Sequence, residues 1–353
     1  MLLKRTIQVW LENLLLLNRN IVSIFFLLLG IVSAQSDISK VGTTAGTLLE
    51  MPVSARGLAL GNSMAGMAAD GTVFYWNPAL ATELTAISMS ASYIPWLVET
   101  QVQHFSIVIP TNYHWVFGAS ISTWSMDDMK VRTELEQDGT GQYFDAGDMV
   151  IALSGARNLT DKFSVGLNIK FLQERIWHSS ANGLALDFGT LYRTDLLNGL
   201  KIIATLNNYG SSMKLDGRDL DLIHDPDPTG EGNNEQIPSE YRMDIWSLPM
   251  NFRFGLATEI VRNNLMTLSV EVDAIHPSNN YESIDLGLEL AVKKMVFLRL
   301  GYSSLFQIDS IEGISMGVGI KISTNTGSFT VDYGYRDYGH LSILNALTIN
   351  VIW

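Results

Sequence analysis

The last thirteen residues of the chain, Leu341 to Trp353, constrain its fold more than any other stretch. Leu347, Ile349, Val351 and Trp353 alternate with Ala346, Thr348, Asn350 and Ile352, and the sequence ends on the aromatic. A period of two sends successive side chains to opposite faces of a strand. One face is strongly apolar and the other small or polar, which is what the wall of a lipid-embedded barrel requires. A terminal aromatic fits the girdle at the membrane boundary, where an amphipathic ring sits between hydrocarbon and water.

Composition by itself would hide this. Charged residues make up 17% of the chain, a value ordinary for soluble proteins. In a barrel only every second strand residue faces lipid, so the hydrophobic signal is diluted by the lumen face and the loops. The one run that resembles a spanning helix, Ile21 to Ala34, has about fourteen residues against the roughly twenty that a span needs. Lys4, Arg5 and Arg19 precede its apolar centre at Ile24 to Leu29, and Val32-Ser33-Ala34 supplies small residues before Gln35. We therefore expect residues 1–34 to be a cleaved signal peptide and the chain to be exported. The stretch before Arg19 exceeds a usual basic leader: either the start lies further downstream, or Leu14 to Leu17 mimic a second apolar core. The chain has no cysteine, which disfavours a small disulfide-held secreted scaffold and suits a closed hydrogen-bonded sheet.

Tilted strands of nine to eleven residues cross a bilayer. Alternating segments near that length predict fourteen strands, from Leu84 to Pro95 at the start to Leu341 to Trp353 at the end. The expected fold is thus an all-β, antiparallel transmembrane barrel over residues 84–353, preceded by a hatch segment over 35–83. The connections alternate in length. Short turns such as Lys293-Lys294 face the periplasm, and long loops such as Met126 to Asp145, Ile176 to Asn182 and Ser211 to Ser247 face outside. The nine prolines avoid strand centres, where each would remove a ladder hydrogen bond. Trp96, Trp124, Trp177 and Trp246 collect near the outer rim, Trp115 and Trp353 near the inner one. A soluble β-sandwich gives no reason for that distribution.

Residues 37–83 are rich in Ala, Gly, Met and Ser and poor in alternation, so they belong inside the lumen or beneath its periplasmic mouth. The inward positions of the predicted strands include Asp187, Arg193, Asn251, Arg253, Glu271, Asp273, Asp285, Glu289, Lys321, Asp332 and Arg336. Acids and bases facing one another in a closed space predict a network tying wall to hatch, with a polar pore as the competing reading.

Within the hatch stand Pro52-Val53-Ser54-Ala55-Arg56-Gly57-Leu58-Ala59-Leu60-Gly61, then Ala68-Ala69-Asp70-Gly71, then Tyr75-Trp76-Asn77-Pro78-Ala79-Leu80. This succession resembles the N-terminal signature of the PorV/PorQ family of outer-membrane barrels with a FadL-like fold. Lys40-Val41-Gly42-Thr43-Thr44-Ala45, Leu298-Arg299-Leu300-Gly301-Tyr302 and Val331-Asp332-Tyr333-Gly334-Tyr335 resemble other parts of it. Leu80 stands where the family commonly has Gly, closer to the PorQ branch, without deciding between branches. The resemblance implies a hatch motif of Arg56, Gly57, Gly61, Asp70, Trp76, Asn77 and Pro78. It also implies a non-enzymatic role in type IX secretion, as cargo shuttle or surface attachment component. The partners would be secreted proteins with a C-terminal signal domain, or attachment-complex subunits, besides outer-membrane lipid. The alternative is a FadL-like passive transporter of hydrophobic small molecules. Trp96, Leu97, Trp124, Met126, Met129, Trp177, Trp246 and Phe306, with Ile94, are the candidate partner-binding residues of the outer loops, since aromatics and Met are enriched at interface cores.

Enzyme chemistry finds no foothold. Gly313-Ile314-Ser315-Met316-Gly317 matches a nucleophile elbow but sits in an alternating strand, where no strand-turn-helix setting exists. The loop Asp216 to Glu240 holds eight acidic residues, and a calcium site at Asp225, Asp227 and Glu231 is conceivable there, although the EF-hand spacing is missed. A solvated loop is the simpler reading. No cofactor is expected, and a net charge of −13 argues against nucleic acid as partner.

Overall fold

The computed structural model describes residues 40–111, 114–226, 236–308 and 310–353. The expected signal peptide, and Asp227 and Glu231 of the conceivable calcium site, lie outside them. Fourteen strands close into an antiparallel barrel. In chain order they are β1 (Ser88–Pro95), β2 (Thr100–Pro110), β3 (Trp115–Met126), β4 (Ala146–Asn158), β5 (Phe163–Ile176), β6 (Ser179–Arg193), β7 (Lys201–Gly210), β8 (Asn251–Arg262), β9 (Met266–Pro277), β10 (Ser283–Val292), β11 (Val296–Leu305), β12 (Ile314–Ser323), β13 (Ser328–Asp337) and β14 (Ile343–Ile352). Each pairs with its sequence neighbour, and β1 closes on β14 in the register Ser88↔Ile352 to Tyr93↔Leu347. Closure leaves no unpaired edge in the hydrocarbon, where an unsatisfied backbone group is costly.

The alternation sorts the side chains as the membrane demands. Leu347, Ile349 and Val351 point outward, while Ala346, Thr348 and Asn350 are buried. At the inner end Trp115 lies exposed and parallel to Phe117, with Arg157 above its ring, and Trp353 is exposed at the end of β14. Two expectations need correction. Residues 84–87 are not strand: the Leu84 N–H donates to the Ala81 carbonyl, and its side chain packs on the interior. Nor is Ile176 to Asn182 a long loop. The β5–β6 ladder runs out to Ile176↔Ser179 and leaves only the turn Trp177-His178. Small inward residues, Ser179, Ala181 and Gly183, had masked the alternation there.

Residues 44–87 run down the barrel's interior. They enter at the outer mouth, where the Ala45 N–H donates to the Ser247 carbonyl and Asn279 donates to Thr44 and Glu50. They leave at the inner mouth, where Ile87 exchanges backbone hydrogen bonds with Trp353. Between lie a 3-10 turn (Thr47–Glu50), α1 (Ala55–Ala59), α2 (Val73–Trp76) and a second 3-10 turn (Pro78–Glu83). Helices this short are marginal alone and depend on packing. The packing surfaces are glycine troughs in the wall. A Cβ on Gly301 would stand 2.1 Å from the Gly61 nitrogen, one on Gly317 2.5 Å from the Ala59 Cβ, and one on Gly334 2.4 Å from the Ala55 carbonyl oxygen. Opposite, Gly166 and Gly189 face each other across β5 and β6 and receive Pro78 and Asn77. The small residues of the N-terminal segment and the glycines of the wall are two halves of one contact.

Candidate functional site

Ser54 caps α1 by accepting the Gly57 N–H, which aims the next side chain, Arg56, toward β10. Arg56 forks onto Glu289 with two hydrogen bonds of 2.9 Å, reaches Asp70 at 3.3 Å and donates to the Met67 carbonyl at 3.0 Å. Asp70 is fixed by the N–H and hydroxyl of Thr72. Glu289 also accepts from Arg299 at 2.6 Å, Arg299 donates to Asp332 at 2.7 Å, and Asn350 donates to Asp332 and meets Ser90. Arg56 and Asp70 of the sequence motif thus meet directly, and Arg56 joins them to a wall residue 233 positions further along the chain.

The other motif residues serve fit. Asn77 accepts the Ala79 N–H and so caps the turn that Pro78 begins, while its amide donates to the Ala65 and Thr190 carbonyls. Trp76 lies edge-on to Tyr75 and covers Gly57, whose Cβ would be 2.1 Å from the indole. Gly61 touches the Tyr302 backbone. Ser315 is spent on the Ala59 carbonyl, a packing role.

Further ties complete the lock. Arg253 donates to the Asn62 carbonyl and to Asp273, Arg336 donates to the Leu58 carbonyl, and Glu83 accepts from Arg193 and Lys201. Lys170 bridges Asp187 and Asn208, and Asn168 joins Asp187 to the Phe74 carbonyl. Arg299, Lys170 and Asn168 were not among the expected interior groups. The signal was present in each: Arg299, for instance, lies between lipid-facing Leu298 and Leu300.

The lumen is divided by height. Beneath the outer mouth, Leu48, Leu49, Ile94, Val102, Leu172 and Leu344 form an apolar cluster. Against the inner mouth lies a cavity of about 560 Å³ bordered by Arg56, Asp70, Lys201, Lys294, Arg299 and Lys321. A smaller cavity of about 130 Å³ near Tyr75, Asn208 and Arg253 shares no lining residue with it.

The candidate loop residues divide. Ile94 is fully buried and Trp96, Leu97 and Trp124 pack against the apolar cluster, so these four are interior groups and not a free surface. Trp124 falls on the lumen side of β3 because it shares parity with Val116 and Ser122, and its indole donates to Thr100. Met126, half-buried, ends β3. Met129, Trp246 and Phe306 are exposed on the outer loops, and Trp177 stacks on His178 in the β5–β6 turn.

A closed barrel of fourteen strands with an aliphatic exterior, aromatic ends and a filled lumen defines an outer-membrane β-barrel. No protein-family profile and no curated protein matches the sequence. Among solved structures, the fold is similar to the Pseudomonas putida toluene transporter TodX, with a TM-score of 0.51 and 12% identity over 85% of this chain and 96% of that one. It is similar also to the CymD monoaromatic hydrocarbon channel, at 0.51 and 11% over 85% and 96%. A Pseudomonas aeruginosa FadL homologue gives 0.50 and 10% over 86% and 98%. At such identities the likeness establishes a FadL-like fold, and it offers nothing specific to PorV/PorQ or to type IX secretion.

Proposed function

We propose that this protein passes small molecules with an apolar body across the outer membrane, the N-terminal segment serving as gate. The observation that carries the reading is the apolar cluster of Leu48, Leu49, Ile94, Val102, Leu172 and Leu344 directly beneath the outer mouth. A path opened between such side chains rejects ions, which keep their water, and favours apolar surface by about 25 cal/mol per Å² removed from water. The similarity in fold to a toluene transporter and a monoaromatic hydrocarbon channel supports the same class. The charged groups deeper in the lumen are paired, within the wall at Arg253–Asp273 and Arg299–Asp332 and between segment and wall at Arg56–Glu289, with Arg253 also donating to the Asn62 carbonyl; these ties to the segment act as the lock. Passage requires that lock to open, because the two cavities are separate.

The test is uptake of labelled toluene by host cells lacking their own such channel. Cells producing the protein should take it up faster, and Leu48→Asp with Leu172→Asp should abolish the gain while leaving a heat-modifiable barrel. Equal uptake with and without the protein would sink the reading. A second reading, attachment of secreted proteins or surface-complex subunits, draws support from Met129, Trp246 and Phe306 on the outer loops. Stoichiometric co-purification of such proteins, combined with no toluene uptake, would put it first.

A further inference from the structure

Outside the lumen, a cleft of about 550 Å³ opens among the outer loops, and among the described residues it is lined by Gln142, Tyr143, Trp177, His178, Arg218 and Asp219. That volume lies in the range of about 300–1,000 Å³ usual for ligand clefts. Its three walls are distant in sequence. Gln142 and Tyr143 belong to the ribbon that pairs Met129–Lys130 with Tyr143–Phe144; Trp177 and His178 form the β5–β6 turn; Arg218 and Asp219 follow Asp216–Gly217, which pairs with Ser180 and Ser179 at the start of β6.

The walls are fixed to one another. The Trp177 N–H donates to the Asp145 carbonyl, and Arg175 grips the Asp145 carboxylate, which ties the ribbon to the turn. Asp219 accepts from the His178 backbone at 3.2 Å and from its Nδ1 at 2.9 Å, and Arg218 contacts Nε2 from the other side. The imidazole, clamped between them, stacks on Trp177 at 4.3 Å. Gly217 lies so close to β6 that a Cβ would stand 2.6 Å from the His178 carbonyl oxygen. Trp177 itself holds a φ of 52°, a conformation uncommon for a bulky side chain and one that marks functional positions more often than chance.

The lining has a definite chemistry: two aromatic faces, Tyr143 and Trp177, with a rim of planar side chains that can donate and accept several hydrogen bonds. Among the described residues the single guanidinium and single carboxylate balance in charge, which favours neither anions nor cations, and none of them offers an aliphatic wall to an acyl chain. A neutral ring with an apolar C–H face and a rim of hydroxyls, each both donor and acceptor, matches all three properties. We propose that this cleft binds a neutral saccharide at the outer surface. The sugar stacks a ring face on Trp177 or Tyr143, and Arg218 and Gln142 bond its hydroxyls. The sugar comes either from a free oligosaccharide or from the head group of a neighbouring glycolipid. The site is independent of the transport reading.

The test uses the full chain purified in a detergent without a sugar head group, because glucoside and maltoside detergents would compete. Neutral glucose-, galactose-, mannose- and N-acetylglucosamine-based di- and trisaccharides are titrated by calorimetry. Phosphatidylethanolamine vesicles with and without lipopolysaccharide are tested in parallel. Saturable binding of at least one saccharide, weakened about tenfold or more by Trp177→Ala and by Arg218→Ala but not by Trp115→Ala, would establish the site. Binding confined to lipopolysaccharide vesicles, with the same dependence on Trp177 and Arg218, would assign it to a glycolipid. No binding by the wild-type protein in either arm, or binding indifferent to both substitutions in barrels that remain heat-modifiable, would overturn the proposal.

Discussion

Replacing Arg56 by Met should unlock the N-terminal segment without opening the wall. The substitution removes both 2.9 Å bonds to Glu289, the 3.3 Å contact with Asp70 and the bond to the Met67 carbonyl. The network then holds one cation, Arg299, against three acids, Asp70, Glu289 and Asp332, where it held two. Breaking one side of a buried pair costs about 3–5 kcal/mol. Here the lower end applies, because Glu289 keeps Arg299 at 2.6 Å and Asp70 keeps both bonds from Thr72. A loss of about 3 kcal/mol shifts a local opening equilibrium by roughly 100-fold. Amide hydrogen exchange reads this directly. The N–H groups of Leu58 and Leu60, bonded to Ser54 and Arg56 carbonyls within α1, should exchange roughly 100-fold faster, while wall amides such as those of β12 and β13 stay protected. Arg56→Lys, which keeps the charge but loses the fork, should fall between. If α1 amides in Arg56→Met exchange within about threefold of wild type, the network is not what holds the segment, and the glycine troughs alone must do so.

Two further outcomes test other parts of the argument. Gly301→Ala would place its Cβ 2.1 Å from the Gly61 nitrogen and 2.2 Å from the Leu60 carbonyl carbon, both backbone atoms that no rotamer change can move. It should cost about 1–3 kcal/mol in the exchange of α1 amides, whereas Gly313→Ala, with open space around it, should cost nothing measurable. At the outer mouth, burial and then the Glu312 carboxylate push the Tyr338 phenol up to about 12 from its ordinary 10.0. A raised folded pKa means the folded state holds its proton longer. The Tyr338 contribution is complete below pH 10 and is lost as pH rises toward 12. Phenolate absorbance of wild type minus Tyr338→Phe should therefore titrate late, and a difference titrating near pH 10 would contradict the buried Arg336–Tyr338–Glu312 contact.

The wall was legible from the sequence because its cause is local. Lipid outside and a filled lumen inside impose a period of two on every strand, so Leu347, Ile349 and Val351 could be set against Ala346, Thr348 and Asn350 before any partner strand was known. The same rule put Glu289, Asp332 and Arg336 in the lumen, where they are buried. Ile94, expected on an outer loop, faces inward in phase with Ser88, Ser90 and Ser92, as the same alternation dictates. Alternation gives a side chain's face and says nothing about what it meets across the barrel. That Arg56 would choose Glu289, that α1 would lie in the trough of Gly301, Gly317 and Gly334, and that the segment would enter from the outer mouth followed only from closure. The outer cleft is the extreme case. Residues 142, 177 and 218 meet because two loops fold back over one hairpin, and no periodicity in the sequence reports a contact made between loops.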